Sequence, residues 1–102
     1  SITNMTNIVR YRNKLKIVIL DDYSKIFLLQ PDFKKWYTAN SILSLIPVGT
    51  VTGITSHNLT YELTYDTLIM GYRTGSSNSV KEDGIVSIEH KSGDLLLMEC
   101  ED

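Results

Sequence analysis

Apolar and polar positions along this chain alternate mostly with a period of two, the spacing of a strand half-buried on one face. The runs at 8–12 and 15–20 are apolar-alternating or β-branched, "DDYS" at 21–24 is a turn cluster, and "KIFLLQ" at 25–30 reads as the next strand. "VGTVTGIT" at 48–55 is extended, with Gly49 and Gly53 marking bulges or close backbone approaches. "LTYELTYD" is the cleanest alternation: Leu59, Tyr61, Leu63 and Tyr65 fall on one face, Thr60, Glu62, Thr64 and Asp66 on the other. It is expected to be a half-buried strand, and "TLIMGYRT" at 67–74 continues it after a phase shift near Asp66.

One stretch departs from this period. Pro31 and Asp32 open "PDFKKWYTANSILSLIP", where Asp32 is a fair N-cap and Phe33, Trp36 and Tyr37 fall at helical spacing. The pattern predicts one short helix around residues 32–45, its aromatic face covering the sheet and Trp36 anchored in the core. "GSSNS" at 75–79 reads as a flexible loop extended by "KEDG". "IVSIEHKSGDLLLME" reads as a hairpin turning at Ser92-Gly93, a register that sets His90 opposite Leu95 and Cys100 opposite Ile85. The expected architecture is therefore mainly β, between all-β and α+β. It is a small antiparallel barrel or sandwich of six to eight strands with one short helix, in a single domain over 1–102.

The residue usage supports this reading. Ala39 is the only alanine, while Ile, Leu, Thr, Ser, Tyr and Asn are plentiful, which disfavours long helices. It also resembles the usage of an AT-rich genome such as that of many phages, viruses and low-GC bacteria. Cys100 is the only cysteine, so no intrachain disulfide forms and secretion is not supported. No apolar run approaches the roughly 18 residues of a membrane span, and the start of the chain lacks the charged-then-apolar order of a signal peptide. A cytoplasmic protein is expected.

The formal charge of −2 is unevenly placed: residues 1–37 sum to +4 and residues 38–102 to −6. "RYRNKLK" carries Arg10, Arg12, Lys14 and Lys16 at every second position. On a continuous strand all four line one face. With Asn13 as a turn residue they would oppose one another and repel, so the continuous strand is preferred. Together with Lys34, Lys35 and Trp36, and with Tyr37 beside them, this stripe is the candidate binding site. Cations tracking phosphates and rings stacking on bases describe a single-strand binder. The plainer reading is a solvated strand face plus core aromatics, and the acidic pI of about 5.6 argues against nucleic acid.

Catalytic constellations are weak. His57 and His90 are the only histidines and are read as exposed, near turns. Neither stands at metal-ligand spacing from Cys100. The carboxylates at Asp21-Asp22, Glu82-Asp83 and Glu99/Glu101/Asp102 fall in turns or at the chain end. No phosphate loop, HExxH or Gly-x-Ser-x-Gly is present. No catalytic residue, metal or cofactor is expected. The leading expectation is a non-enzymatic binding module working by protein–protein interaction or self-assembly as a homo-oligomer, in a viral or phage setting an accessory protein or inhibitor. The alternative is binding of single-stranded nucleic acid or a nucleotide ligand through the basic strand Arg10–Lys16.

Overall fold

The computed structural model describes residues 17–19, 24–71 and 77–100, and every regular element among them is a β-strand. They are β1 (Ile17–Ile19), β2 (Ser24–Leu28), β3 (Asp32–Tyr37), β4 (Ile42–His57), β5 (Asp66–Ile69), β6 (Ser77–Ser79), β7 (Gly84–Glu89) and β8 (Ser92–Cys100). All pairings are antiparallel, in the order β1-β2-β8-β4-β7-β3, with β5 and β6 also paired to β4. The sheet curls over its own inner face. β3, at one end of that order, reaches β2 near the other: the rings of Phe33 and Phe27 pack with centroids 5.9 Å apart.

The 16-residue β4 makes the curl possible. Its first half pairs with β8, from Ile42↔Cys100 to Val48↔Asp94, and its last residues pair with β7, from Thr55↔Glu89 to His57↔Ser87. The pairing slips between Val48 and Thr52 against β8 and between Val51 and Ile54 against β5. Gly49 and Gly53 both have positive φ there, so the expected bulges are present. The slip inverts the buried face: Leu43, Leu45, Pro47 and Val51 are buried at odd positions, then Ile54 and Ser56 at even ones.

The core joins the two halves of the curl. Leu43, Leu45, Val51 and Ile54 of β4 pack with Leu95 and Leu97 of β8, Val86 and Ile88 of β7, Tyr37 of β3 and Leu68 of β5. β8 is buried on both faces at its centre, because Leu96 packs with Ile26 on the reverse side, flanked by Leu28, Ile46 and Val48. This accounts for "LLL" in a strand: a two-sided burial erases alternation.

Four expectations are corrected here. No helix occupies 32–45; the segment is β3, a turn and the start of β4. Phe33 and Tyr37 share a face at strand spacing, and Trp36 points the other way, 56% exposed, so the helical spacing of these rings was coincidental. "LTYEL" is a loop, with Tyr61 and Tyr65 largely exposed and Tyr65 at φ 51°. Side chains replace strand pairing there. Glu62 Oε1 accepts from the Leu59 N–H (2.9 Å) and the Ser56 hydroxyl (3.1 Å), and Asn78 binds both the N–H and the carbonyl of Tyr61 (3.0 and 2.7 Å). The last segment is not a hairpin: β7 pairs with β3 and β4, β8 with β2 and β4, so Cys100 lies opposite Ser24 and Ile42 rather than Ile85. Finally, Ser77–Ser79 of the supposed loop is β6, held to Ile42–Ser44.

Two substitutions test this packing by chemical denaturation. Leu97→Ala, at a fully buried position between the two halves, is expected to cost about 2–5 kcal/mol. Gly93→Ala is expected to destabilise clearly more than Gly49→Ala: both have positive φ, but a Cβ on Gly93 drives into the Thr50 carbonyl oxygen, whereas one on Gly49 meets nothing within 4 Å. Equal costs would contradict the described β4–β8 crossing.

Candidate functional site

Where the curl stays open, a cleft of about 310 Å³ lies between β3 and the ends of β2, β4 and β8, lined by Lys25, Lys35, Trp36, Tyr37, Thr38, Ser41, Ile42, Leu43, Glu99 and Cys100. Its size falls at the lower end of small-ligand sites. Strand alternation decides what enters it. Lys35 and Tyr37 share the inner face of β3, Glu99 lies on the inner face of β8 opposite Lys25 and Leu43, and the three groups meet across the fold.

Glu99 is the centre of this cluster. Its Oε2 accepts from Lys35 Nζ at 2.7 Å and from the Tyr37 hydroxyl at 2.5 Å. The Lys35 ammonium also lies 5.2 Å from the centre of the Tyr37 ring. Exposure is unequal: the Glu99 side chain is 14% exposed and that of Lys35 47%. Burial pushes the Glu99 carboxyl up, but the hydrogen bonds from Lys35 and Tyr37 and the charges of Lys35 and Lys25 outweigh it, leaving the group below its ordinary value and ionised. The Tyr37 hydroxyl is pushed up by burial first, then by its hydrogen bond to Glu99 and that group's charge. The result is a carboxylate held by a neutral phenol and covered by an ammonium.

The structure divides the candidate binding residues. Arg10, Arg12, Lys14 and Lys16 lie outside the described residues. Lys34 and Lys35, adjacent in sequence, point to opposite faces of β3. Lys34 lies on the outer face opposite Ser87, and Lys35 enters the cleft. Trp36 borders the cleft from the outer face, opposite the exposed Ile85. Tyr37 and Glu99 are the residues whose joint role sequence reasoning missed; they stand 62 positions apart, and no local spacing joins them.

His57 is exposed, as expected, but His90 is not. It is 8% exposed, with its Nδ1 buried and without a hydrogen-bond partner among the described residues. Its backbone N–H donates to the Pro31 carbonyl, which ties the β7–β8 connection to the residue before β3. Burial lowers its pKa, opposed by the Gly93 backbone and the charge of Asp94. Among the described residues no three His, Cys, Asp or Glu groups lie together as metal ligands.

These two groups predict an acid profile in two steps. His90 is neutral in the fold, so its contribution is present above about 6.5 and is lost as pH falls from there through its lowered folded value. Glu99 contributes above about 4.5 and loses its contribution below that, through its own lowered value. Thermal unfolding from pH 8 to 3 is expected to show both steps, with Glu99→Gln removing the lower one and His90→Asn the upper. A single unchanged profile for all three proteins would refute the assignment.

The model of the thiamin pyrophosphokinase, vitamin B1 binding domain family matches residues 32–95, from the start of β3 into β8. No curated protein matches the sequence. The thiamin pyrophosphokinase structure from Geobacillus thermodenitrificans superposes with a TM-score of 0.82 at 21% identity, over 99% of this chain and 47% of that one. The Bacillus subtilis thiamine pyrophosphokinase gives 0.81 at 18% identity, over 99% and 49%, and the Candida albicans enzyme 0.73 at 17%, over 98% and 38%. At these identities the likeness concerns the fold, and the chain spans about half or less of each. Among the described residues no helix is long and apolar enough to cross a membrane. The family match overturns the expectation of a non-enzymatic viral or phage accessory protein working through protein interaction, and points to a small-molecule ligand instead. The match covers 64 residues, well over half of the chain, and the chain belongs to the vitamin B1 binding domain family of thiamin pyrophosphokinase.

Proposed function

We propose that this chain is the vitamin-binding part of a thiamin pyrophosphokinase, and that it holds thiamin in the cleft between β3 and β8. A pyrophosphokinase passes a pyrophosphoryl group from a nucleoside triphosphate to an alcohol, here the hydroxyethyl group of thiamin. The alcohol oxygen loses its proton and bonds to the β-phosphorus, while the bond from that phosphorus to the bridging α–β oxygen breaks and nucleoside monophosphate leaves. In this reading the β fold presents the alcohol, and the donor is held by parts of the enzyme beyond the described strands.

The observation that carries the reading is the family match over 32–95, which includes seven of the ten residues lining the cleft: Lys35, Trp36, Tyr37, Thr38, Ser41, Ile42 and Leu43. Their chemistry suits the vitamin. Thiamin is a cation built of two flat heteroaromatic rings, and the cleft offers a carboxylate, an indole at its rim and the Thr38 and Ser41 hydroxyls. A flat cation gains from aromatic faces and from an ionised partner in a partly dry site.

Trp36 is the only tryptophan, so its emission reports on the cleft directly. Thiamin is expected to change that emission saturably, and calorimetry to give a matching dissociation constant. Trp36→Phe is expected to weaken binding roughly three- to tenfold, the scale of one aromatic contact. No saturable emission change and no heat would refute the reading.

A further inference from the structure

The Lys35–Glu99 pair has a feature that a purely structural salt bridge does not require. Both bonds to the carboxylate fall on one oxygen, Oε2, and they come from partners of different kinds. Tyr37 is 8% exposed and fixed in the core cluster. Lys35 is half exposed, on a flexible stem, and its ammonium sits between the carboxylate and the face of the Tyr37 ring. Swung toward solvent, it leaves behind a carboxyl group still anchored by a phenol, beside an aromatic face, in a cleft bordered by Trp36. That is the chemistry of a receptor for a flat organic cation.

We propose that the Lys35 ammonium is a resident stand-in for the ligand's cationic ring, so that an aromatic cation enters by displacing Lys35 from Glu99 while Tyr37 keeps the carboxylate in place. The proposal rests on the vitamin-binding reading for the identity of the natural ligand, but its charge logic concerns any aromatic cation. Glu99 lies beyond the family match at 32–95, so the family does not assign it. The exchange is feasible, because an ion pair with a half-exposed lysine contributes little that a ligand cation must offset. Lys25, opposite Glu99 in the β2–β8 register, stays beside the carboxylate while Lys35 is displaced.

The test is calorimetric titration of the wild-type chain, Lys35→Met, Lys35→Gln and Glu99→Gln with thiamin, with N-methylthiazolium, and with neutral 5-(2-hydroxyethyl)-4-methylthiazole. Circular dichroism checks that each variant is folded. Removing the competing ammonium is expected to tighten both cations about three- to tenfold and leave the neutral thiazole unchanged. Glu99→Gln is expected to weaken both cations by a similar factor or more. If Lys35→Met and Lys35→Gln bind the cations no better than wild type, or worse, the stand-in role is overturned, while thiamin binding by the wild type would leave the vitamin-binding reading standing. If thiamin fails to bind but N-methylthiazolium tightens in both lysine variants, the vitamin reading fails and the cation seat holds. Absence of binding by either cation to any variant overturns both.

Discussion

The whole arrangement turns on β4 and the slipped pairing in its middle. A strand of 16 residues with uninterrupted register would bury one face from end to end and hold its neighbours in a single open sheet. The shift beside Gly53 exchanges the faces, so the half of β4 bonded to β8 and the half bonded to β7 each direct their apolar residues into the same interior. Leu43 and Leu45 reach the core from odd positions and Ile54 from an even one. The curl then carries β3 across to β2 and β8, the only route by which Lys35 and Tyr37 meet a residue more than sixty positions away.

Backbone polar groups that the curl leaves out of ladders are bonded by side chains, and this distinguishes the well-tied rim from the open cleft. Asn58 accepts from the Glu82 N–H and donates to its carbonyl, and Ala39 donates its N–H to Asp83. Ser56, buried among apolar neighbours, donates to Glu62 and accepts from the Leu63 N–H. The two bonds of Ser56 satisfy partly buried groups that would otherwise cost free energy, and those of Asn58 and Ala39 tie exposed backbone. The loop over residues 58–65 is thus well specified, although among the described residues its strand pairing is limited to the Leu59↔Val80 bridge.

The strand content, the antiparallel character and the glycine bulges were legible because each is a local matter of period, β-branching and positive φ. The failures share one cause: local pattern was asked to decide what distant partners decide. "LTYELTYD" alternates well, yet Asn78 and Glu62 occupy the backbone groups that a strand would offer a neighbour. "IVSIEHKSGDLLLME" has a good turn at its centre, yet the same turn serves as a crossing between strands that find other partners. Trp36 was expected in the core because tryptophan usually is; strand parity sets it outside and puts Lys35 and Tyr37 inside. Of the candidate site, Lys35 and Trp36 stand out in the sequence only as part of a basic stretch, and Glu99 only as one of several terminal acids. No sequence signal short of the register itself joins Glu99 to Tyr37.

The energetics of that junction bear on why it exists. An ion pair whose lysine is half exposed contributes little to folding, and a Tyr–Glu hydrogen bond contributes about 1 kcal/mol or somewhat more. A leucine or methionine at position 99, packed beside Leu97 and Leu43, would serve the fold at least as well, because it would avoid taking a carboxylate out of water. The fold instead holds a charged oxygen pair near the mouth of its cleft, anchors it from the dry side with a phenol and covers it from the wet side with a movable ammonium. Stability does not ask for that division between a fixed partner and a mobile one. Recognition of a cation does, because the group that leaves must be the exposed one and the group that stays must be the one built into the core.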